Sequence, residues 1–323
     1  MKRVVLGILC VALFLSGCTV YHELPEPNGE NEVITKEDSL LTDENTDEVK
    51  EEIVSEKEET ATPEKTETSE ATEEVTDPGE SEITEENTSE IDSLPNDNNG
   101  WGFVKKKDSF PEFTKGQRDM MAKYNCIYAG NQSEKVLYLT FDEGYENGFT
   151  GQILDTLKEK GVPAAFFITG PYLEKNGDLI QRMVDEGHIV GNHSVNHPNM
   201  PSRGTKAAMQ EEILNLDRRF FELYGQHMTY FRPPEGAYSE RSLAATNDLG
   251  YKTVLWSFAY KDWETDNQKG ADYAFESVMP YLHNGCVILL HAVSKDNTEA
   301  LGRIIDSARE AGYTFKSLDE FSY

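Results

Sequence analysis

Residues 137–150 read LYLTFDEGYENGFT, and this stretch decides the fold. It continues a strand-like apolar run, residues 136–141, which ends at two adjacent carboxylates, Asp142 and Glu143, before Gly144. A parallel sheet presents chemical groups at the carboxyl ends of its strands, so acids in this position are candidates for catalysis. Taken alone, they are as typical of a turn that caps the next helix.

Strand-like and helix-like segments alternate from residue 135 to the end of the chain. This alternation predicts a parallel sheet with helices outside it, and the pattern alone leaves a barrel and an open sheet equally open. The predicted strands are residues 136–141, 163–169, 188–194, 229–233, 251–258 and 286–292, and the predicted helices are residues 150–161, 178–187, 205–224, 239–250, 271–282 and 297–311.

The net charge of -29 is concentrated in one segment of the 323-residue chain. Residues 19–100 hold 28 acidic and four basic residues, while residues 101–323 hold 31 acidic and 24 basic ones. The first segment has too few apolar residues to offset its ordering entropy, so it is predicted to be a disordered acidic linker. No basic surface is evident in the remainder, which argues against a nucleic-acid partner.

The first 18 residues, MKRVVLGILCVALFLSGC, have a basic start and a short apolar core, which predicts a secretory signal. The ending, residues 15–18, resembles a bacterial lipoprotein box, in which Cys18 becomes lipidated and anchors the protein to the membrane. An ordinary signal or an uncleaved anchor is the alternative. In each case the rest of the chain lies outside the cytoplasmic membrane and faces the cell wall.

Residues 101–134 are rich in aromatic residues and are predicted to pack as an extension on the main domain, residues 135–323. Two cysteines remain outside the signal, Cys126 and Cys286. They could pair in an oxidising compartment, although the sequence cannot place them within bridging distance. Neither has a metal-ligand spacing to another cysteine or histidine, so both are interpreted as structural.

The second motif is HSVNH, with histidines at 193 and 197. Two histidines four residues apart can share a metal ion. They follow a predicted strand and precede Pro198, so a short turn is expected rather than a long helix. A carboxylate from another strand end would complete a three-ligand site of the kind that catalytic metals use.

Three more polar groups follow predicted strands: Arg232 in RPPEG, Asp262 in KDW, and His291 in ILLH. Each has a simpler interpretation, as a surface arginine on a rigid turn, a capping Asp beside a core tryptophan, or a buried core histidine. Together with Asp142 and the HSVNH histidines, however, they occupy the ends of successive strands. In a parallel sheet those ends form one face, so the sequence predicts that these groups meet.

The series TFDEG, HSVNH, RPPEG, KDW and ILLH resembles the five motifs of the polysaccharide deacetylases, the family 4 carbohydrate esterases, over residues 135–323. The segments GYENG, HSVNHPNMP, RPPEGAYSER, WSFAYKDW and LLHAVSKDN are more similar to one branch, the delta-lactam-biosynthetic de-N-acetylases that act on muramic acid in spore peptidoglycan. The resemblance implies a distorted barrel of strands and helices.

The resemblance also implies a role for each matching position. Asp142 would be the general base, and Arg232 would orient it. The backbone N–H of Glu235 would help to hold the oxyanion. Asp262 would orient His291, and His291 would be the general acid that protonates the leaving amine.

The same resemblance implies a divalent metal, Zn²⁺ or else Co²⁺ or Mn²⁺, bound by His193 and His197. Glu143 stands where the wider family has a second Asp as a metal ligand, whereas the branch that this sequence resembles tends to lack that Asp. Glu143 would either coordinate the metal from a shifted position or leave it to the two histidines and water.

The implied function is removal of acetyl groups from amino sugars in peptidoglycan glycan strands by a monomeric enzyme, with N-acetylmuramic acid favoured. Trp263 would contact the substrate, and the lactyl carboxylate of that sugar would need a cation, for which Lys295 and Arg241 are candidates. One alternative is a deacetylase of N-acetylglucosamine or another polymer. Another is a glycan-binding domain that has lost catalysis, an interpretation that only Glu143 favours.

Overall fold

The computed structural model describes residues 90–323, together with the backbone of the two-residue strand Val33–Ile34. The predicted signal, Cys18 and the rest of the predicted linker up to residue 89 lie outside the described residues. Within the described part of the chain, none of the helices combines the length and the apolar character needed to cross a membrane.

Within the described residues, seven parallel strands form the main sheet, in the order β10-β4-β5-β6-β7-β9. The seventh strand, β11, pairs with the start of β4, before the residues that pair with β5. Two short pairs, β1–β3 and β2–β8, are antiparallel. The strands are β1 (Val33–Ile34), β2 (Asn99–Gly100), β3 (Phe103–Val104), β4 (Val136–Glu143), β5 (Ala164–Ile168), β6 (Ile189–Asn192), β7 (Tyr230–Phe231), β8 (Ala237–Tyr238), β9 (Lys252–Thr253), β10 (Cys286–His291) and β11 (Thr314–Phe315). The α-helices are α1 (Lys115–Lys123), α2 (Thr150–Lys160), α3 (Gly170–Lys175), α4 (Gly177–Asp185), α5 (Lys206–Tyr224), α6 (Glu240–Asp248), α7 (Ala271–Val278) and α8 (Lys295–Glu310).

The sheet curls until its two ends meet. Beyond β9, the chain runs on to form an isolated parallel bridge between Phe258 and Ile288 of β10. The amide of Ser257 donates to the carbonyl of Val287 at 3.0 Å, and the amide of Leu289 donates to the carbonyl of Phe258 at 2.9 Å. This contact confirms the distorted barrel. The predicted strand 251–258 is a regular strand only at β9, which pairs with β7, and its last residue pairs with β10 instead.

Strand β4 lies between β10 and β5 in the sheet, and all eight of its residues are buried. Its side chains alternate between two cores, as expected for a strand. Leu139 and Phe141 join the apolar cluster under the outer helices, whereas Tyr138 joins a second cluster that includes the N-terminal extension. By this alternation Asp142 belongs to the inner face and Glu143 to the helix side.

The outer helices cover the sheet with the apolar faces that their sequences predict. In α2, for example, Ile153, Leu154 and Leu157 are fully buried, and the helix ends at Gly161, which takes the left-handed conformation with φ 57°. Helix α3 was not predicted, because its Gly-Pro start resembles a turn. Proline is well tolerated in the first turn of a helix, where its missing N–H has no helical partner to lose.

Residues 90–100 are packed on the domain, which corrects the predicted linker boundary at residue 100. Ile91 is buried in the main core, and Asp92 accepts a hydrogen bond from the amide of Lys206 at 2.6 Å. Asn96 accepts from the hydroxyl of Ser239 at 2.7 Å, and β2 pairs with β8. The polar composition of the segment hid this packing, because its polar side chains bind the ends of helices.

Residues 101–134 pack on the barrel. Trp101, Phe103 and Phe113 form an aromatic cluster that also contains Met121. Cys126 and Cys286 are both buried free thiols, so the structure does not contain the disulfide that the sequence left open.

Candidate active site

Asp142 and His291 lie side by side on the adjacent strands β4 and β10. They are register partners in the parallel pair β4–β10, so their side chains leave the sheet on the same face. Both residues are the last or next-to-last of their strands. The sequence expectation that two strand ends bring a carboxylate and an imidazole together is therefore met in the structure.

Arg232 follows β7 and is completely buried beside Asp142. Its guanidinium donates to Asp142 Oδ1 at 2.7 Å, to Thr140 Oγ1 at 2.8 Å and to the carbonyl of Val254 at 3.2 Å. Burial alone would raise the pKa of Asp142, but the charge of Arg232, with further contributions from His193 and His291, holds that pKa below its ordinary value. Asp142 is therefore a carboxylate at neutral pH.

A glycine makes room for this arginine. The guanidinium of Arg232 lies over the ring of Phe167 on β5, 4.2 Å from its centre. A Cβ atom at Gly191 on β6 would lie 2.6 Å from the same ring. A larger residue at 191 would displace Phe167, which packs against the guanidinium of Arg232. Because Arg232 holds the carboxylate of Asp142, Gly191 affects the position of Asp142 indirectly.

His291 is held by Asp262. Asp262 Oδ1 lies 2.7 Å from His291 Nδ1, and Asp262 Oδ2 accepts from the backbone amide of His291 at 2.8 Å. Burial would lower the pKa of His291, but the negative charge and hydrogen bond of Asp262 outweigh it, so the pKa lies above its ordinary value. Trp263 packs its ring edge-on against His291, with 5.4 Å between the ring centres.

The two histidines of HSVNH lie in a turn after β6, as predicted, and not in a helix. Their rings are 4.9 Å apart. His193 Nδ1 binds the carbonyl of Arg232 at 2.8 Å, and its Nε2 lies 3.6 Å from Asp142 Oδ2. Burial lowers the pKa of His193, and burial together with His193 lowers the pKa of His197 to about 4, so both rings are neutral at neutral pH.

Glu143 does not join these histidines, which corrects the expectation that it contributes a metal ligand. Its side chain is fully buried on the helix side of β4, beside Glu146, Thr150 and Tyr172. The Thr150 hydroxyl donates to Glu146 instead, and neither Glu143 carboxylate oxygen has a hydrogen-bond partner within the described part of the chain. Adjacent residues of a strand point to opposite faces, so one strand end cannot aim both acids inward.

The donors present do not make the three-ligand metal site that the sequence predicted. Two neutral imidazoles, His193 and His197, suit zinc and related ions. Residues 90–323, however, contain no group of three or more His, Cys, Asp or Glu side chains arranged to hold a metal ion. A metal at these histidines would have to take its remaining ligands from water or substrate.

We predict that Glu143→Gln alters stability but not the site. Burial, then Glu146 and Asp142, raise the pKa of Glu143 well above its ordinary value. The folded chain therefore binds this proton more tightly than the unfolded chain, and the free energy of unfolding falls as pH rises from the ordinary carboxyl pKa toward the folded one. Glutamine removes that slope, at about 1.4 kcal/mol for each unit of pKa shift.

Denaturant unfolding of the full chain at pH 5 and pH 8 measures this slope. The exposed Glu159→Gln on helix α2 serves as the control and should keep the wild-type slope. Metal content measured in parallel should be the same in wild type and Glu143→Gln. A lower metal content in Glu143→Gln would mean that Glu143 is a metal ligand.

The turn Pro234–Gly236 carries the proposed oxyanion donor, the amide of Glu235. Glu235 has a positive φ of 58°, which is uncommon for a residue with a side chain. Trp101 supports this turn, because its amide donates to the carbonyl of Gly236 at 2.9 Å and its indole donates to the carbonyl of Trp256 at 2.8 Å. A Cβ atom at Gly236 would lie 2.9 Å from Trp101 Cβ, so only glycine allows this approach.

We predict that Trp101→Ala destabilises the domain by about 3–5 kcal/mol, the usual cost of truncating a buried aromatic side chain. Trp101→Phe keeps most of the packing and removes one hydrogen bond, so it should cost about 1 kcal/mol. Both variants should also lower turnover, since the Pro234–Gly236 turn loses support. Phe110→Ala, in the same aromatic cluster, is the control and should reduce stability without lowering turnover of the folded protein.

The two cations proposed to bind a substrate carboxylate, Arg241 and Lys295, have different surroundings in the structure. Arg241 is committed to the carbonyls of Leu94 and Gly204, so it fastens the N-terminal segment rather than facing the site. Lys295 is exposed at the start of α8, four residues after His291, and pairs with Glu299 at 2.9 Å. Thr140, Trp101 and Asn297 also support the site, and no sequence motif marks them, because their roles are recognisable only from their contacts.

Comparison with known proteins gives consistent matches. Residues 129–254 match the model of a family described as polysaccharide deacetylase. The chain is 42% identical over 234 residues to the peptidoglycan-N-acetylmuramic acid deacetylase PdaA of Bacillus subtilis, covering 72% of this chain and 89% of the relative. It is 31% identical to a peptidoglycan-N-acetylglucosamine deacetylase of Bacillus cereus, covering 58% of this chain and 88% of the relative. The structure of B. subtilis PdaA, a family 4 carbohydrate esterase, superposes with a TM-score of 0.69 at 43% identity, covering 71% of this chain and 98% of that one.

Proposed function

The chain belongs to the polysaccharide deacetylase family, and from this membership we propose that it hydrolyses the N-acetyl group of an amino sugar in peptidoglycan, with N-acetylmuramic acid as the favoured sugar. The observation that carries the proposal is a carboxylate and an imidazole that lie side by side at the edge of the barrel. Asp142 is kept ionised by Arg232, and Asp262 raises the pKa of its register partner His291 above the ordinary histidine value.

Asp142 acts as the general base. A water molecule placed beside its carboxylate loses a proton to it and attacks the acetyl carbon. The low pKa of Asp142 keeps the carboxylate available across the neutral range, and Arg232 fixes its orientation. A base positioned within hydrogen-bond reach contributes about 10²- to 10⁴-fold to the rate.

The tetrahedral oxyanion is stabilised by the amide of Glu235, which the Pro234–Gly236 turn holds in place. His291 then gives its proton to the amide nitrogen as the carbon–nitrogen bond breaks, because an amine is a poor leaving group unless it is protonated. The products are acetate and a free amino sugar. The presence of both hydrogen-bonded pairs, Asp142–Arg232 and Asp262–His291, favours this activity over a glycan-binding domain without catalysis.

For a metal ion, we propose only which residues would bind it. Family members generally depend on a metal, and His193 and His197 are the residues that would hold one in this chain. A bound divalent ion would supply Lewis-acid activation of water or carbonyl. No residue of the described part adds a third ligand to those histidines, so a low metal affinity is expected.

The favoured sugar rests on the relatives, since PdaA is named for N-acetylmuramic acid and the B. cereus relative for N-acetylglucosamine. Purified full-length protein should be incubated, with Zn²⁺, Co²⁺ or Mn²⁺ supplied, with defined muramic acid glycans and with N-acetylglucosamine oligomers. Equal amounts of acetate and free amine from the first substrate alone support the proposal. Release from the second alone moves the specificity to glucosamine, and release from neither removes the enzymatic interpretation.

We further propose that the protein works outside the cytoplasmic membrane, where its glycan substrate lies, as a monomer anchored through lipidated Cys18. The signal-like first 18 residues and the acidic linker support this placement. Cys18→Ser should release the protein from membranes in cell fractionation. Retention of that variant in the membrane fraction would argue for an uncleaved anchor instead.

A further inference from the structure

A chain of buried hydrogen bonds leads to His291 from behind Asp262. The hydroxyl of Tyr260 donates to Asn297 Oδ1, and Asn297 Nδ2 donates to Asp262 Oδ2 at 2.5 Å. Asp262 Oδ1 in turn binds His291 Nδ1 at 2.7 Å. Tyr260, Asn297 and Asp262 are only 4%, 1% and 3% exposed, so water does not compete for these contacts.

We propose that Asn297 is a positioning residue for the acid–base pair, an inference that rests on the proposed function. Asp262 must present one oxygen to His291 in a fixed direction, because a misplaced imidazole cannot reach the leaving nitrogen. The second oxygen of Asp262 is held by two donors, the backbone amide of His291 and the side chain of Asn297. Asn297 therefore sets the rotation of the carboxylate.

The requirement is for an amide at this position. Both oxygens of Asp262 accept hydrogen bonds from their neighbours, whereas the hydroxyl of Tyr260 can donate one. An asparagine satisfies both neighbours at once, with its NH₂ toward Asp262 and its oxygen toward Tyr260. An alanine satisfies neither neighbour, and an ionised aspartate would face Asp262 with a like charge.

Helix α8 makes Asn297 a rigid support. Ser294 caps the helix by accepting from the amide of Asn297 at 3.2 Å. The side-chain oxygen of Gln268 accepts from the Ser294 hydroxyl at 3.0 Å and from the amide of Asp296 at 2.9 Å. The loop that follows Asp262 is thus fastened to the first turn of the helix that carries Asn297.

Kinetics of full-length Asn297→Ala test the proposal with two substrates. On the N-acetylated glycan, kcat should fall about 100-fold with KM unchanged, as expected when a reacting group is misplaced. On an aryl acetate, whose phenolate leaves without a proton, the rate should remain close to wild type, which also shows that the variant is folded. Thr298→Ala, which removes a buried hydroxyl bonded to the Ser294 carbonyl at 2.8 Å, is the control and should retain both activities.

A second variant adds a pH signature. Asn297→Asp keeps the shape of the side chain, and the groups facing it are Asp262, His291 and Tyr260, with Asp296 beside it on α8. Its amide hydrolysis should be poor at neutral pH and recover relative to wild type as pH falls, since the introduced carboxyl group can donate to Asp262 again once it is protonated.

Wild-type kcat in Asn297→Ala, or an equal loss on amide and ester, would overturn the positioning role. A pH-independent defect in Asn297→Asp would also contradict it. Failure of the proposed function gives a different result, because the wild-type protein itself would then release no acetate from the glycan.

Discussion

Asp142→Asn should reduce kcat for N-acetyl hydrolysis by about 10²- to 10⁴-fold, the contribution expected of a general base. The amide is nearly the same size and can still accept from Arg232, so the arrangement of the site should survive. What is lost is the negative charge that accepts the proton of water. Substrate binding, measured as a dissociation constant by calorimetry, should change little because the base acts after binding.

The same variant should lower stability as well. Arg232 is completely buried and would face a neutral partner, and breaking a buried ion pair costs about 3–5 kcal/mol when no hydrogen bond replaces it. Asparagine retains one hydrogen bond, so a smaller loss is expected. Asp306→Asn, at an exposed acid paired with Lys160, is the matched control and should change neither kcat nor the unfolding midpoint. Undiminished turnover in Asp142→Asn would remove Asp142 as the base.

His291→Gln should reduce amide hydrolysis by a similar factor, about 10²- to 10⁴-fold, because the leaving amine then has no proton donor. The variant should lose much less activity on an aryl acetate, whose leaving group departs without a proton. Asp142→Asn, by contrast, should lose activity on both substrates, since both need an activated water. Equal losses on amide and ester in His291→Gln would mean that His291 is not the acid.

The pH dependence gives a second test of the same pair. His291 must be protonated to act, so activity falls as pH rises through its pKa, which Asp262 holds above the ordinary histidine value. Asp262→Asn removes the charge that raises this pKa. The alkaline limb of kcat against pH should therefore move to lower pH in that variant, and an unmoved limb would show that another group controls it.

The alternation of strands and helices was sufficient to predict a parallel sheet whose strand ends bring polar residues to one edge, whereas closure into a barrel was predicted from the family resemblance. Asp142, Arg232, Asp262 and His291 were all found in this way, and their pairings in the structure match those that the family resemblance implied. Periodicity at strand ends thus carried information about the site as well as about the fold.

The direction of the Glu143 side chain could not be predicted from the strand pattern. A sequence lists Asp142 and Glu143 as neighbours, but only continuation of β4 through residue 143 decides that they point to opposite faces. The packing of residues 90–100 was hidden for a related reason, since polar residues that cap helices have the same composition as solvated ones. Asn297 lies six residues after His291, and its role depends on a contact with a loop distant in sequence.

The most direct test of the account is mass analysis of muropeptides from purified peptidoglycan treated with wild type and with Asp142→Asn, metal supplied in both. The account predicts that wild type removes one acetyl group from muramic acid residues and that Asp142→Asn leaves nearly all of them acetylated. Muropeptides that remain fully acetylated after wild-type treatment, or that lose acetyl groups equally with Asp142→Asn, would contradict it.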